Sequence, residues 1–396
     1  MKIKVRPEDF IVQEKSELKL QKEPANYRVY ELAKSQWDSL DLLNYLARLL
    51  KIPLSDLRLA GLKDRYGKTT QLLAIRNRWG LPDFLKDNNF VLKAKGYTDE
   101  KLAADNITAN QFKIVIRDIP YYQLPIIEKN FQEAISYGLP NYFDEQRFGS
   151  ARAGKGFMGK ALFLGQMEEA LKIYLSHARA DRREHKEFKE AMLKNWRHWH
   201  RVKTAVPYRY RPIFKVLTTH GKWEAFCKAV NAIGRQQLLL ALQGYQSYLF
   251  NCVVNEYLLA LAPTYPDLKL LPFNYKYGKF FFYKIITSEI YNLLINKELP
   301  VPGFDSSPED PLIKLSLAKV LAQEGLELSK LKVRKLHAKA VRGVLRHLIL
   351  KPKDAVWHEP LQDDLYPSRY KLELDFTLGR GEYATIFLKR LALGTC

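Results

Sequence analysis

Helical and alternating hydrophobic patterns interleave along the first third of the chain. Leucines recur at helical spacing over residues 39–50, directly after Asp38, which is suited to an N-cap, and a second helical pattern covers residues 126–137. Both patterns predict amphipathic helices. Residues 112–117 alternate large apolar side chains with mostly polar ones, as a strand does. Further strands are predicted over residues 27–33 and 71–76, and over residues 3–14 with a Pro-Glu-Asp turn inside that strand.

The middle of the chain, residues 151–340, is more helical and more strongly charged. A long apolar-rich helix is predicted over residues 238–261, and a loop rich in proline and glycine over residues 299–311. Near the C-terminus, residues 372–376 and 384–388 are predicted to form a closing hairpin. Strands and helices alternate without the regular repetition of a Rossmann fold or an α/β barrel, which favours an α+β fold.

Charge is the outstanding feature of the composition. The 396 residues carry 64 Lys and Arg against 43 Asp and Glu, a formal net charge of +21. Such an excess favours a polyanionic partner, usually a nucleic acid, over a membrane surface. The length predicts two domains. Three cysteines without metal-ligand spacing, no signal peptide and no apolar run of membrane length predict a soluble cytoplasmic protein, expected to be a monomer without a protein partner.

The densest concentration of chemistry lies between Ala60 and Gln71, where Asp64 stands among three cations and two glycines. Neighbouring cations keep a carboxylate ionised, as a nucleophile or a base requires. The segment ends like a phosphate-binding P-loop, but five residues instead of four separate Gly61 from Gly67, and Asp64 would face the phosphates. Nucleotide hydrolysis is therefore disfavoured. A basic surface turn, with Asp64 in an ordinary ion pair, stays open on this segment alone.

Further motifs accompany this segment. They are Asp9-Phe-Ile-Val-Gln-Glu14, Asn141-Tyr-Phe-Asp-Glu-Gln-Arg-Phe-Gly149 and Gly381-Glu-Tyr-Ala-Thr385, together with residues 243–251. With Gly61-Leu-Lys-Asp64 they resemble the hallmarks of the TruD family of tRNA pseudouridine synthases along the whole chain. The resemblance implies a catalytic domain with a mixed, largely antiparallel sheet flanked by helices, built from residues 1–150 and 341–396. It places a family-specific α/β insertion domain within residues 151–340.

The resemblance also implies isomerisation of uridine to pseudouridine at position 13 in the D arm of tRNA, with no metal or other cofactor. The motif match makes Asp64 the catalytic residue and Lys4 its counter-charge. The implied nucleotide-binding residues are Phe10, Asn141, Phe143 and Tyr383. Whether Asp64 attacks the sugar or the base, or removes a sugar proton, stays open. Two alternatives also stay open: the same chemistry on another RNA, and a non-catalytic RNA-binding protein or chaperone.

Cations suited to the RNA backbone lie in two places. Beside Asp64 they are Lys63, Arg65 and Lys68. For Lys63 the alternative is a structural role, because its side chain should point away from Asp64 on an extended chain. The second place is residues 179–222, which are rich in Arg and Lys. Its candidate backbone contacts are Arg197 and Arg201, and its interleaved aromatic residues are Trp196, Trp199, Tyr208 and Tyr210. These rings either stack on bases or anchor a solvated helix face.

Three residues depart from the family pattern, since Asp105, Ala109 and Asp144 stand where the family has glycine. Asp is among the better-tolerated residues where the backbone requires a positive φ. A carboxylate at position 144 close to the pocket would raise the pKa of Asp64. We therefore expect altered loop geometry around Asp105 and Ala109, with catalysis retained.

Overall fold

A computed structural model gives the fold and describes residues 1–63, 65–149, 151–152, 156–176, 181–219, 222–333, 336 and 341–395. The chain divides into two compact units. Unit 1 combines both ends of the chain, Met1–Gly138 and Leu350–Cys396, and unit 2 is the continuous segment Leu139–Ile349. The implied catalytic residue, Asp64, lies outside the described residues.

In chain order the strands are β1 (Phe10–Ser16), β2 (Tyr27–Ser35), β3 (Leu57–Leu59), β4 (Lys68–Arg76), β5 (Phe84–Asp87), β6 (Phe90–Thr98), β7 (Ile107–Ile119), β8 (Leu139–Pro140), β9 (Ala151–Arg152), β10 (Gly156–Phe157), β11 (Leu271–Tyr275), β12 (Gly278–Phe282), β13 (Glu298–Val301), β14 (Val344–His347), β15 (Ile349–Leu350), β16 (Lys353–Trp357), β17 (Leu361–Gln362) and β18 (Tyr370–Gly379). The helices are α1 (Ser39–Leu49), α2 (Leu124–Tyr137), α3 (Met158–Phe163), α4 (Met167–Leu175), α5 (Arg183–Lys194), α6 (Arg211–Thr219), α7 (Lys222–Asn231), α8 (Arg235–Leu261), α9 (Ser288–Ile295), α10 (Pro311–Gln323) and α11 (Ala384–Leu391). Among the residues described here, no helix has both the length and the apolar character needed to cross a membrane.

Unit 1 is built on one sheet, whose described strands follow the order β16-β18-β7-β1-β4-β2-β6-β5, with β17 beside β18 and β3 beside β4. At its centre β1 and β4 run parallel, with Ile11 opposite Lys68. The pairs β1–β7, β7–β18, β2–β4 and β2–β6 are antiparallel. A parallel pair needs a long crossover, which β2, α1 and β3 provide. The mixed, largely antiparallel sheet with its helices confirms the predicted α+β class.

The predicted helices near the N-terminus are present as α1 and α2. Asp38 caps α1 as predicted, because its side chain accepts hydrogen bonds from the backbone N–H groups of Leu40 and Asp41 at 2.8 and 3.3 Å. The turn predicted within residues 3–14 is present as the 3-10 turn Pro7–Asp9, whereas the strand itself begins only after it, at Phe10. Proline opens such a turn because its φ is already close to the helical value.

The predicted closing hairpin is wrong in its second half. Residues 372–376 lie in β18, but residues 384–388 belong to α11. In α11 the side chains of Ile386, Phe387 and Leu391 are buried, at the spacing of one helical face. A short apolar run does not by itself distinguish a strand from a buried helix.

Unit 2 contains the predicted apolar helix as α8, which runs over Arg235–Leu261. Buried side chains lie all around it, and it contacts α3 and α10. The hairpin β11–β12 and the pair β13–β14 are both antiparallel. The loop predicted over residues 299–311 is therefore wrong at its start, where Pro300 lies in β13 opposite Leu345. Proline is tolerated there because an edge strand can leave its N–H side unpaired.

A buried ion-pair network joins the two chain segments of unit 1. The Arg117 guanidinium, 6% exposed, lies 2.9 Å from Asp9, 2.9 Å from Asp363 and 2.8 Å from Asp364. Burial raises the pKa of the Asp363 carboxyl, but hydrogen bonds from two backbone N–H groups and from Arg117 outweigh burial, so this pKa lies below its usual value. These ion pairs therefore stabilise the same junction as the β7–β18 pairing, which also joins the two chain segments of unit 1.

We expect Arg117→Met to lower the free energy of unfolding by about 3–5 kcal/mol, because three carboxylates lose their buried cation. Lys93→Met, which changes an exposed lysine of β6, should alter it by less than about 0.5 kcal/mol. Urea unfolding measures both. The wild-type advantage is present above the ordinary carboxyl pKa of about 4 and should be lost as the pH falls below it, since folding lowers the pKa values of Asp363 and Asp364. Equal losses in the two variants would contradict the network's role.

Candidate active site and RNA interface

The residues on both sides of Asp64 are described, and they lie in unit 1. Residues 60–63 follow β3, and residues 65–67 lead into β4. Because Asp64 itself lies outside the described residues, its surroundings are defined by the contacts that hold the two ends of this loop.

The Lys63 side chain is buried rather than presented to solvent. It is 10% exposed, and its Nζ lies 2.8 Å from a carboxylate oxygen of Glu14 on β1 and donates a hydrogen bond to Asn110 on β7. The Glu14 side chain is fully buried. A buried pair of this kind has given up its hydration, and separating it to bind a phosphate would be costly. Of the two predicted roles for Lys63, this favours the structural one.

The Lys63 backbone is also held in place. Ser39 Oγ, at the start of α1, accepts a hydrogen bond from the Lys63 N–H at 3.0 Å and donates one to the Lys63 carbonyl at 3.2 Å. The same carbonyl accepts a hydrogen bond from the Lys34 ammonium at 3.2 Å, and this ammonium also donates to the Trp37 carbonyl at 2.8 Å. Lys34 is 3% exposed, so protein groups must replace its water. We call this arrangement of Glu14, Lys34 and Ser39 around Lys63 the Lys63 clamp.

The sequence analysis missed Lys34 and Ser39 as site residues. Lys34 lies two residues after Leu32 on β2, and both face the interior. Because side chains alternate between the two faces of a strand, an apolar residue is expected at this interior-facing position. A lysine there is a signal of a buried polar site, because lysine is rarely buried without partners.

Gly67 brings the other end of the loop directly against β1. A Cβ at this position would lie 2.5 Å from the Phe10 carbonyl oxygen and 3.1 Å from the Phe10 ring. Only glycine permits so close an approach to a neighbouring backbone. The loop that carries Asp64 is therefore fixed at one end by the Lys63 clamp and at the other by the contact of Gly67 with Phe10.

Lys4, the predicted counter-charge, lies beside Phe10. Its Nζ is 4.1 Å from the centroid of the Phe10 ring, within cation–π distance. The Lys4 backbone has a φ of 57°, a left-handed conformation that costs a non-glycine residue roughly 1–2 kcal/mol. The Phe10 ring is buried, with its centroid 6.2 Å from that of Phe112 in an edge-on contact. Phe10 thus supports Lys4, and its contact with a nucleotide stays a prediction.

A cavity of about 330 Å³ in unit 1 is lined by Lys4, Arg6, Gln36, Arg65 and Tyr66, among others. Gln36, like Lys4, has a left-handed backbone, with a φ of 58°. Non-glycine residues in this conformation are uncommon and tend to occur at functional sites. Three cations around one cavity suit a phosphate group.

Tyr383 lies in unit 1 at the N-cap position of α11 and is half-buried. The preceding residue, Glu382, accepts a hydrogen bond from the Gly379 N–H at 2.7 Å. This bond closes the turn between β18 and α11. It therefore fixes the point at which the chain carrying Tyr383 enters the helix.

In unit 2, Asn141 and Phe143 share a partner that the sequence analysis missed. Arg346 of β14 donates from Nε to the Asn141 carbonyl at 3.0 Å, and from a terminal nitrogen to Asn141 Oδ1. Its guanidinium carbon lies 4.2 Å from the centroid of the Phe143 ring. A planar cation that binds an amide and stacks on a ring holds both in place. Arg346 thus positions the two predicted nucleotide-binding residues of unit 2.

Helix α8 provides a second support for Phe143. Asn251 accepts a hydrogen bond from the Phe143 N–H at 2.8 Å and donates one to the Phe143 carbonyl at 2.9 Å. Asn251 is the last residue of the segment 243–251, which resembles the family. This resemblance was the sequence signal available for Asn251. Asn141 is buried, and its Nδ2 donates to the His347 carbonyl at 3.1 Å. A hydrogen bond from Asn141 to a nucleotide stays a prediction.

Comparison with known proteins identifies the family. The model of the family tRNA pseudouridine synthase D (TruD) matches residues 1–391. The chain belongs to the TruD family. A Methanococcus maripaludis protein inferred to be tRNA pseudouridine synthase D 1 is 31% identical over 398 residues, 99% of each chain. The tRNA pseudouridine synthase D of Aquifex aeolicus is 29% identical over 395 residues, 99% of this chain and 98% of that one. A crystal structure from Methanosarcina mazei assigned to TruD shares the fold, with a TM-score of 0.70 at 24% identity, and covers 98% of this chain and 92% of that one.

The three departures from the TruD motifs are accommodated locally. Asp144 has a φ of −80°, so its backbone has no need of the left-handed conformation that favours glycine. Asp105 lies in the turn Ala104–Asn106 and pairs with Arg380 at 2.6 Å. Ala109 lies in β7 opposite Gly379. The sheet therefore continues through this segment, with a shift in the β1–β7 register between Lys15, which lies opposite Ala109, and Ser16.

The cations predicted to contact the RNA backbone differ in how they are engaged. Lys68 pairs with Glu8 at 2.9 Å and lowers the pKa of this carboxyl. Arg197 pairs with Glu168 at 2.5 Å and lowers the pKa of Glu168 below its usual value. Arg201 is exposed and forms no ion pair with any residue that the structure describes. Arg201 is therefore better placed than Arg197 to bind a phosphate.

Most aromatic residues of the same segment anchor it to unit 2. Trp199 and Tyr210 are buried. Trp196 stacks on Phe226, with centroids 6.0 Å apart, and donates a hydrogen bond to Glu168 at 2.7 Å. Tyr208, by contrast, is 85% exposed. Two roles were predicted for these four rings, stacking on bases and anchoring a solvated helix face. Tyr208 is the ring whose exposure best suits stacking on a base.

One group of side chains in the described residues has the composition of a metal site: His358, Glu373 and Asp375 in unit 1. His358 Nε2 lies 2.8 Å from Asp375, and the Lys113 ammonium lies 2.7 Å from Glu373. The hydrogen bond to Glu373 raises the pKa of Lys113. These groups compensate one another as an ion-pair network on the sheet. The absence of a catalytic metal stays a prediction.

We expect Gly67→Ala to destabilise the protein by about 1–3 kcal/mol, because a Cβ placed against the Phe10 carbonyl forces β1 and the loop apart. Gly149→Ala is the control, since its Cβ would come no closer than 3.9 Å to any described residue other than its chain neighbours, and it should change stability by less than about 0.5 kcal/mol. Urea unfolding measures both variants. If the two are tolerated equally, the loop is not held against β1.

Proposed function

We propose that the protein isomerises uridine to pseudouridine in tRNA, with Asp64 as the catalytic residue and the uridine at position 13 of the D arm as the target. The observation that carries the proposal is the Lys63 clamp, in which Glu14, Lys34 and Ser39 hold the residue before Asp64 by four contacts. Membership of the TruD family supports the reaction class. The names of the relatives, tRNA pseudouridine synthase D, support tRNA as the substrate.

The reaction breaks the C1′–N1 bond, turns the uracil over and joins C1′ to C5, while C5 loses its proton and N1 takes one up. It exchanges no electrons with another molecule, so one fixed carboxylate suffices and no cofactor is required. Holding a reacting group in place before the substrate arrives lowers the barrier, because little reorganisation is left to the reaction itself. We assign this positioning to the Lys63 clamp and to Gly67, and the counter-charge to Lys4.

In this proposal residues 1–150 and 341–396 form the catalytic domain, and residues 151–340 contain the insertion domain. The cavity lined by Lys4, Arg6 and Arg65 binds a phosphate beside the target nucleotide. The residues that receive the flipped nucleotide are Phe10, Asn141, Phe143 and Tyr383. Flipping is required because the enzyme cannot reach C1′ and C5 within a stacked helix.

We expect Asp64→Asn to abolish pseudouridine formation while the affinity for tRNA stays within a few-fold of wild type, since one carboxylate carries the chemistry. Asp41→Asn, which changes an exposed carboxylate of α1, should leave both unchanged. Pseudouridine mapping of tRNA after incubation with each purified variant measures the reaction. Residual turnover of a few per cent in Asp64→Asn would overturn its assignment. Modification of another RNA, or of none, would instead favour one of the two alternatives.

The basic segment gives a second prediction. Arg201→Gln should weaken tRNA binding and flatten the slope of log affinity against log salt by roughly 0.7–0.9, the effect of losing one phosphate contact. Arg197→Gln should change this slope less, because Glu168 already engages the guanidinium. Filter binding over a salt series measures both. If neither variant changes the slope, this segment is a solvated face and RNA binds along the cavity of Lys4, Arg6 and Arg65.

A further inference from the structure

Unit 2 contains a cavity of about 410 Å³ that the proposed chemistry does not use. Its described lining comes from the turn Glu145–Phe148, from α4, α5 and α8, and from the turn Tyr208–Tyr210. The volume is that of a small-ligand site. It accommodates one nucleotide and excludes a base-paired helix. No residue that the resemblance assigns to the flipped nucleotide is among the described residues that line it.

The charge of this cavity is positive. Lys189 and Asp181, which both line it, form a nearly buried ion pair at 2.7 Å, so their charges compensate each other. The other two charged residues of the described lining are Arg147 and Arg209. The described lining thus has three cations to one carboxylate, Asp181, which also attracts Arg209. This excess of positive charge favours an anionic ligand, and guanidinium is well matched to phosphate.

Arg209 is oriented by an aromatic residue of the same cavity. Its Nε donates a hydrogen bond to the Tyr174 hydroxyl at 3.2 Å, and its guanidinium carbon lies 5.9 Å from the Tyr174 ring centroid. Arg147 is exposed, with a long contact of 3.5 Å to Gln243 Oε1. One cation is therefore pre-positioned and the other is free to adjust. Both leave further N–H groups for a ligand.

The rest of the lining suits the base of a nucleotide. Gln146 and Gln237 each provide an amide that can both donate and accept hydrogen bonds. Tyr174 and Tyr210 provide aromatic surface, and Met158 and Leu240 provide apolar surface. Phosphate-binding cations beside rings and amides are the usual means of holding an unstacked RNA base.

We propose that this cavity binds one unstacked nucleotide of the RNA substrate, other than the one that is isomerised, with its phosphate on Arg147 and Arg209. The proposal rests on the proposed function for the identity of the RNA. It gives the Gln146-Arg147 pair of the motif over residues 141–149 a role in substrate recognition. It also places an RNA contact of residues 179–222 at Arg209.

The first test removes the two charges. Arg147→Gln with Arg209→Gln should weaken the binding of an unmodified tRNA transcript by about 10-fold or more and flatten the salt slope by roughly 0.7–0.9 for each lost contact. Single-turnover pseudouridine formation at saturating tRNA should be unchanged. The control is Arg235→Gln, which removes an exposed arginine at the start of α8 that is absent from the described lining. Equal effects in the double variant and the control would overturn the proposal.

The second test fills the cavity without changing charge, and it stands even if the double variant fails to fold. Gln237→Trp places a bulky ring at an exposed position of α8 in the lining. It should weaken tRNA binding by about 10-fold with no loss of thermal stability. It should not change binding of a fully base-paired RNA of the same length, because a paired nucleotide cannot enter. Unchanged tRNA affinity, or an equal loss for the paired RNA, would contradict the proposal.

These measurements separate this inference from the proposed function. Binding is measured without turnover. If wild-type protein forms no pseudouridine but the variants lose affinity for tRNA as expected, the function is wrong and the nucleotide site stands. If wild-type protein forms pseudouridine but all variants bind tRNA normally, the function stands and the site is wrong.

Discussion

The buried ion pair between Lys63 and Glu14 is the contact on which the candidate active site depends. Glu14 lies on β1, between β7 and β4 in the sheet, and its carboxylate is met by a lysine from the loop between β3 and β4. Breaking such a pair leaves a charge without water or partner, which makes the alternative loop positions costly. Ser39 and Lys34 then fix the Lys63 backbone. The residue that follows, Asp64, is attached to a point that cannot easily move.

The parallel pairing of β1 and β4 explains why distant parts of the sequence meet at this loop. Parallel strands begin at the same edge of a sheet, so the chain before Phe10 and the chain before Lys68 lie side by side. Lys4 precedes the first strand and Arg65 precedes the second, and both line one cavity. The close approach of Gly67 to the Phe10 backbone is a consequence of the same pairing. The sheet topology thus gathers cations around a loop that is itself held rigidly.

The sequence predicted the elements whose signals are local. The leucine spacing and the Asp38 cap predicted α1, and alternation predicted the core of β7. The prediction of a strand failed at residues 384–388 because a short apolar run fits a strand and a buried helix equally well, and tertiary packing decided between them. The motif resemblance led to the right family, but it did not reveal Lys34, Ser39, Arg346 or Asn251. These residues act through contacts between segments far apart in the chain, which hydrophobic pattern and spacing do not encode.

If the Lys63 clamp positions the catalytic carboxylate, the single-turnover rate of Ser39→Ala at saturating tRNA should reveal it. This variant removes the hydroxyl that bonds both backbone groups of Lys63 and leaves every proposed substrate contact in place. We expect a rate at least about 10-fold below wild type, with unchanged tRNA affinity, whereas the exposed control Ser55→Ala should keep the full rate. A Ser39→Ala rate equal to that of the control would contradict the claim.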